Sequence, residues 1–349
     1  MKRVPLGRHT LEVPLLQGGM GVGISLGGLA GAVAACGAMG VISAAHPGYR
    51  EPDFAENYRA ANCRALQKEI RRARELSQGR GMIGVNIMTA MNHYGELVEA
   101  AIQGGADAII SGAGLPLELP GLVGESDILL APIVSSGKAA RLICQSWQRH
   151  HGRLPDFVVV EGCEAGGHLG FKPQELESGT ALPLEQIVPQ VVQALQAFAT
   201  PEHPIPVFAG GGIFTGQDGR RGMDAGADGV QVATRLVATP ECDAAEAYKQ
   251  TYLLAQPQDI VLVKSPVGMP GRALRSPLVE RQEKEEIRHC MGCLRACDQK
   301  NAPYCIAQAL IRAAQGDWEN GLFFCGSNAW RLERMEPVQQ VIQQIMGEG

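Results

Sequence analysis

Gly105-Ala-Asp-Ala-Ile-Ile110 and Gly226-Ala-Asp-Gly-Val-Gln231 read alike, and a third relative, Gly37-Ala-Met-Gly-Val-Ile42, stands near the start of the chain. In each, a glycine suited to the left-handed residue that closes a helix runs straight into an apolar strand. A helix-to-strand joint repeated in this way marks successive βα units. Working outward, eight short apolar runs fit as strands: Val13–Leu16, Val41–Ser43, Met82–Asn86, Ala108–Ile110, Ile128–Ile133, Phe157–Glu161, Pro206–Ala209 and Gly229–Val232. Most lack a two-residue alternation, as expected when both faces of a parallel strand are covered.

Helices are expected between them at Ala65–Leu76, Gly137–Gln148, Pro183–Ala199 and Ala244–Leu254. The other α/β architecture, a doubly wound dinucleotide-binding sheet, needs G-x-G-x-x-G, but Gly19 and Gly21 are followed by Ile24. The sequence therefore predicts a (β/α)₈ TIM barrel over residues 1–275. A helical, cysteine-bearing extension packed on it is expected over 276–349. Lys264–Arg275 reads as a loop, Glu280–Ile287 as a charged helix, and Tyr304–Ala314 and Pro337–Met346 as further helices.

Apolar residues make up 45% of the 349, ample for one large core, and the net charge is only −5. No Lys/Arg tract is present, so neither nucleic acid nor an anionic membrane is an expected partner. The first ten residues carry no apolar segment of the secretory kind. Gly23–Ala45 is uncharged and long enough to span a bilayer, yet it is rich in Gly, Ala and Ser and reads as core. Ten cysteines without a secretory signal fit a reducing, cytoplasmic setting.

Barrels of this kind carry their sites on the loops after the strands. Gln17-Gly-Gly-Met-Gly21 follows the first strand, where missing side chains let a flat ring or a phosphate approach the backbone. Glu161-Gly-Cys-Glu-Ala-Gly-Gly-His168 follows the sixth, and a histidine between glycines suits proton transfer. Ala209-Gly-Gly-Gly-Ile213 and Gln231-Val-Ala-Thr234 follow the seventh and eighth, the usual phosphate site of this fold, with Arg235 close by as added charge. Cys290, Cys293, Cys297 and Cys305 lack the paired knuckles of a zinc site. Their spacing suits a [4Fe–4S] cluster, with zinc or unligated thiols as the other readings.

At these loops the sequence resembles the nitronate monooxygenase (2-nitropropane dioxygenase) family, which includes FMN-dependent enoyl-ACP reductases. The resemblance runs from residue 13 to about 275 through Gln17–Gly21, Gly84–Asn86, Glu161–His168, Ala209–Ile213 and Gly229–Thr234. It implies FMN, with Met20, Gly21 and Asn86 against the isoalloxazine ring, Gly166 and Gly167 at the flavin edge, and Gly19 and Glu161 also among the cofactor-binding residues. Gly211, Gly212, Gln231 and Thr234 would then hold the phosphate, and His168 matches the catalytic histidine. Ala233 stands where the family has glycine.

Two reactions are implied. The expected one is oxidation of an alkyl nitronate with O₂. The alternative is reduction of an enoyl thioester by NAD(P)H or an electron carrier, which an iron–sulfur site would favour. Either way the partner is a small-molecule substrate, and a homodimer is the assembly to look for.

Overall fold

The computed structural model describes residues 3–287 and 290–347. Eight parallel strands close into a barrel: β1 Leu15–Gln17, β2 Met39–Ser43, β3 Met82–Met88, β4 Ala108–Gly112, β5 Leu129–Val134, β6 Val158–Glu161, β7 Val207–Gly210 and β8 Gly229–Val232. Closure is made by β8 pairing with β1, Val230 opposite Leu15. All eight lie where the apolar runs predicted them, within two residues at most of the ends.

The strands read as unbroken apolar runs because the barrel has two apolar faces. Leu16, Met39, Val41, Met82, Ile110, Ala131, Val159 and Phe208 fill the interior. Their neighbours Ile42, Ile83, Val85, Ile109, Leu130 and Val160 pack outward against the helices. A short antiparallel hairpin, Val4–Leu6 with His9–Leu11, plugs the bottom with Val4, Leu6 and Leu11. On the outside, a Cβ on Gly40 of β2 would stand 1.8 Å from the carbonyl oxygen of Ala30, so only glycine lets the Gly27–Ala35 helix lie this close.

The aspartate of the repeated signature has a structural task. Asp107 Oδ2 accepts the N–H of Ile83 at 2.7 Å, and Asp228 Oδ2 accepts that of Val207 at 3.0 Å. Asp156 does the same for Leu130 at 2.7 Å. Each carboxylate clamps the first residues of the preceding strand, satisfying a backbone donor that its own ladder leaves free.

Helices lie between the strands as expected, the longest from Phe54 to Ser77. No helix among the described residues is long and apolar enough to cross a membrane; Gly23–Ala45 is a helix leading into buried β2.

Two expectations are corrected. Lys264–Arg275 is not a plain loop: Ile260–Lys264 and Pro270–Leu274 form an antiparallel hairpin. Pro270 takes the strand's first position, where its missing N–H is tolerated, and Gly268 turns the chain at φ +81°. Glu280–Ile287 is not a helix; helix covers only Pro277–Glu280. From Arg281 to Glu286 there is no apolar residue to form a buried stripe, so nothing holds those residues in a helix.

The later residues fold back onto the barrel. The Val338–Met346 helix buries Val338, Val341, Ile342 and Ile345 against Leu29, Val33 and Val230. Phe323 and Cys325 join the Tyr248–Tyr252 cluster.

Candidate active site

Every residue that the loops suggested for the site lines one cavity of about 240 Å³ at the C-terminal mouth of the barrel: Gly19, Met20, Gly21, Asn86, Glu161, Gly166, Gly167, His168, Gly211, Gly212, Gln231 and Thr234. Two close approaches shape its floor and one open position gives it room. A Cβ on Gly19 would meet Asn86 Cβ at 2.3 Å, and one on Gly166 would meet the backbone carbon of Cys325 at 2.4 Å. Gly167, at φ +75°, has no atom within 4 Å of where its Cβ would be, so the cavity is open above it.

The end of the cavity expected to take a phosphate is built from backbone. Among the described residues the N–H groups of Gly212 and Ile213 have no protein acceptor. Thr234 Oγ1 accepts the N–H of Gly326 at 2.9 Å, which leaves its own hydroxyl proton free to donate. Asn328 Nδ2 donates to the Gly212 carbonyl at 2.6 Å and fixes the turn. Arg235 lines the cavity but is already committed: it pairs with Glu336, donates to Gln344 at 2.8 Å, and lies 4.8 Å over the Phe214 ring. Its charge is largely neutralised, so the free N–H groups and the Thr234 hydroxyl are the main anion donors.

His168 sits on a two-residue strand, Gly167–His168, held by the hairpin with Gly271 opposite His168. Its Nε2 lies 2.7 Å from Ser265 Oγ and its ring meets Phe324 edge-on at 5.1 Å. Ser265 Oγ also accepts from Val267 N. Buried Ser265 has no other acceptor for its proton among the described residues, so full pairing has it donate to His168 Nε2 and leaves the ring N–H on Nδ1. Burial lowers His168 to about 4, so the ring is neutral at pH 7. Burial pushes Glu161 the other way, up to about 8, and its carboxyl is protonated at pH 7. Arg272 secures the loop between them, donating to the carbonyls of Cys163 (2.8 Å) and Ala165 (2.5 Å).

Sequence reasoning missed Ser265, Arg272, Phe324, Gly326 and Asn328, all contributed after the barrel's last strand. Phe324-Cys-Gly-Ser-Asn328 does carry a signal, a glycine among small polar residues, but nothing local says which loop it will meet. His46 and His93, both buried, were also passed over.

The four clustered cysteines do not form the expected metal site. Among the described residues no three His, Cys, Asp or Glu side chains are grouped so as to hold a metal ion. The backbone here is extended and pairs with the loop after β3: Asn92 N donates to Cys293 O at 3.0 Å and Arg295 N to Ala90 O at 2.9 Å. Cys290 is exposed, whereas Cys293 is buried against the core. The [4Fe–4S] expectation is therefore not supported.

The nitronate monooxygenase family model matches residues 4–348. The chain belongs to the nitronate monooxygenase family. This is a family of oxidoreductases that use FMN, and the glycine-lined cavity with its free N–H groups and Thr234 hydroxyl fits that group. FabK from Thermotoga maritima superposes with a TM-score of 0.72 at 28% identity, over 96% of this chain and 92% of that one. A nitroalkane oxidase from Streptomyces ansochromogenes shares the fold, TM-score 0.70 over 96% of this chain and 95% of that one, at 20% identity. A Mycobacterium tuberculosis protein named (3aS,4S,5R,7aS)-5-hydroxy-7a-methyl-1-oxo-octahydro-1H-indene-4-carboxyl-CoA dehydrogenase is 30% identical over 200 residues, 57% of this chain and 50% of that protein. The chain spans between about a third and two thirds of the length of the curated relatives it matches.

Proposed function

We propose that this member of the nitronate monooxygenase family is an FMN-dependent reductase of a neutral, apolar, activated alkene, with an enoyl thioester as the substrate class. One observation carries this reading. The space beyond His168 is walled by Val22, Met88, Met91, Val267, Leu294 and Leu310 and has no charged side chain on its lining. A small nitronate anion would lose its hydration there without a cation in return, whereas an acyl chain gains from the same surface. This reverses the order in which the sequence placed the two reactions. The names of several relatives, such as the Bacillus subtilis protein described as a probable nitronate monooxygenase, 32% identical over 134 residues, support the other reading.

FMN, when bound, supplies the hydride chemistry. Gly212, Ile213 and Thr234 would hold its phosphate, and the glycines after β1 and β6 its ring. The chain's own part is the proton and the exclusion of water. Reduction of an enoyl thioester requires a proton at the carbon beside the carbonyl. Neutral His168, with Nε2 fixed by Ser265, presents Nδ1 as the atom that holds it. Ten unpaired cysteines support a cytoplasmic setting, with NADH or NADPH as reductant.

The test is anaerobic stopped-flow of the yellow holoenzyme with NADH, NADPH and an alkyl nitronate offered separately. Fast bleaching by a nicotinamide and reoxidation by an enoyl thioester are expected. Bleaching by the nitronate alone, with O₂ uptake on admission of air, would overturn the reading.

A further inference from the structure

Beyond the cavity that suits FMN lies a smaller one of about 160 Å³, and the two share Ala45, Met88, Ala113, His168 and Leu310. One side comes from the barrel rim (Val22, Met91) and the other from the post-barrel segment (Leu294, Ile306, Ala307). Two polar side chains stand on this lining, His168 and His46.

His46 is built in with care. It follows β2 in the left-handed region at φ +48°, a conformation that costs a non-glycine residue energy and is kept where the surroundings insist on it. Phe54 meets its ring edge-on at 5.7 Å and Tyr58 lies 6.0 Å away. Asn62 sets the tautomer. Its Oδ1 accepts the N–H of Gly48 at 3.1 Å, so its other amide atom is the NH₂, which donates to His46 Nδ1 at 3.3 Å. A neutral ring that accepts at Nδ1 carries its proton on Nε2. Among the described residues the one side-chain hydrogen bond of His46 is the one from Asn62 to Nδ1, so the Nε2–H meets no protein acceptor, and the ring stands on the cavity wall.

A donor facing an apolar wall is costly unless something in the cavity meets it. A plain hydrocarbon chain would leave it unmet. We propose that this second cavity is the acyl compartment of the substrate and that it selects a chain carrying an oxygen acceptor, a ketone or hydroxyl, which takes the hydrogen bond of His46 Nε2–H. At about 30 Å³ for each water-sized group, the compartment holds roughly five heavy atoms of that chain. The inference rests on the acyl-thioester reading above and adds the chemistry of the chain.

The test is equilibrium titration of the FMN holoenzyme with saturated N-acetylcysteamine thioesters, which bind without turning over, followed by the flavin difference spectrum. The series is octanoyl and its oxo derivatives with the ketone moved carbon by carbon along the chain. One oxo position is expected to bind about tenfold more tightly than octanoyl, the worth of one hydrogen bond made in place of one missing. His46→Leu should erase that preference while leaving octanoyl affinity the same or higher. His46→Gln, which keeps a donor, should retain part of it. Leu294→Trp should weaken every member of the series with flavin content unchanged. Octanoyl binding as well as every oxo analogue, or a preference that survives His46→Leu, overturns the proposal while leaving the thioester reading intact. No spectral change with any thioester would instead refute that reading.

Discussion

His168 Nε2 lies 2.7 Å from Ser265 Oγ, although the two residues are 97 positions apart. The contact exists because Gly271, on the strand that follows Ser265 in the hairpin, pairs with His168 itself. The same hairpin thus holds the imidazole's backbone and orients its ring. His168→Ala is expected to lower kcat by roughly 10²–10⁴ with flavin content unchanged. Ser265→Ala should cost about tenfold, the worth of one positioning hydrogen bond. Steady-state kinetics on flavin-replete protein decides, and full activity in His168→Ala would remove the proton-transfer role.

Acid stability follows from three buried histidines. His46, His93 and His168 are each lowered to about 4, in every case chiefly by burial. Above about pH 6.5 they are neutral in folded and unfolded chains alike. Between about 6.5 and 4 the unfolded chain takes up protons that the folded one refuses, so stability falls as pH falls, by up to about 4 kcal/mol per pH unit for three groups. Glu161, raised to about 8, acts with the opposite sign and removes stability as pH rises from about 4.5 to 8. Thermal unfolding of flavin-free protein should therefore peak near pH 6.5. A flat profile from pH 5 to 6.5 would contradict the buried-histidine account, and Glu161→Gln should abolish the loss on the alkaline side.

The tight floor of the cavity predicts a specific sensitivity. Gly166→Ala puts a methyl 2.4 Å from the backbone of Cys325, which cannot yield without moving Gly326 away from Thr234. A stability loss of roughly 1–3 kcal/mol and weakened flavin retention are expected. Gly79→Ala, where nothing lies within 4 Å but φ is +73°, should cost stability alone and keep its flavin. Flavin-to-protein absorbance ratios after gel filtration separate the two.

Arg272 ties the Cys163–Ala165 turn to the hairpin through two carbonyls. Its replacement by Met keeps the stem but strands both acceptors, at an expected cost of about 1.5–3 kcal/mol for each charged hydrogen bond lost. Because that turn leads into Gly166 and His168, KM and kcat should both worsen. A variant as stable and active as the parent would show that the turn holds its shape unaided.

Thiol reactivity should follow burial. Cys290 is exposed, whereas Cys144, Cys242 and Cys293 are buried and pushed up to about 12. Under native conditions Cys290 is expected to be alkylated first and those three to resist until unfolding. Peptide mapping after brief iodoacetamide treatment reads this directly. Four equally protected cysteines between 290 and 305, with bound iron, would restore the cluster reading.

The barrel was legible because its signals are local. A βα joint is written in a few adjacent residues, and a parallel strand with two covered faces must be apolar throughout. Glycine-marked strand ends therefore located the mouth of the barrel and the loops that line its cavity, His168 among them. The tertiary structure alone decided what covers that mouth. Ser265, Arg272, Phe324 and Asn328 reach the site by pairing across long stretches of chain, and hydrogen bonds of that kind leave no pattern in neighbouring residues. It also bears on the four cysteines, whose spacing permits a cluster while no group able to hold a metal ion forms among the described residues. His46 shows the same limit: the sequence supplies an imidazole, but only Asn62 and Gly48, folded against it, determine which nitrogen carries the proton.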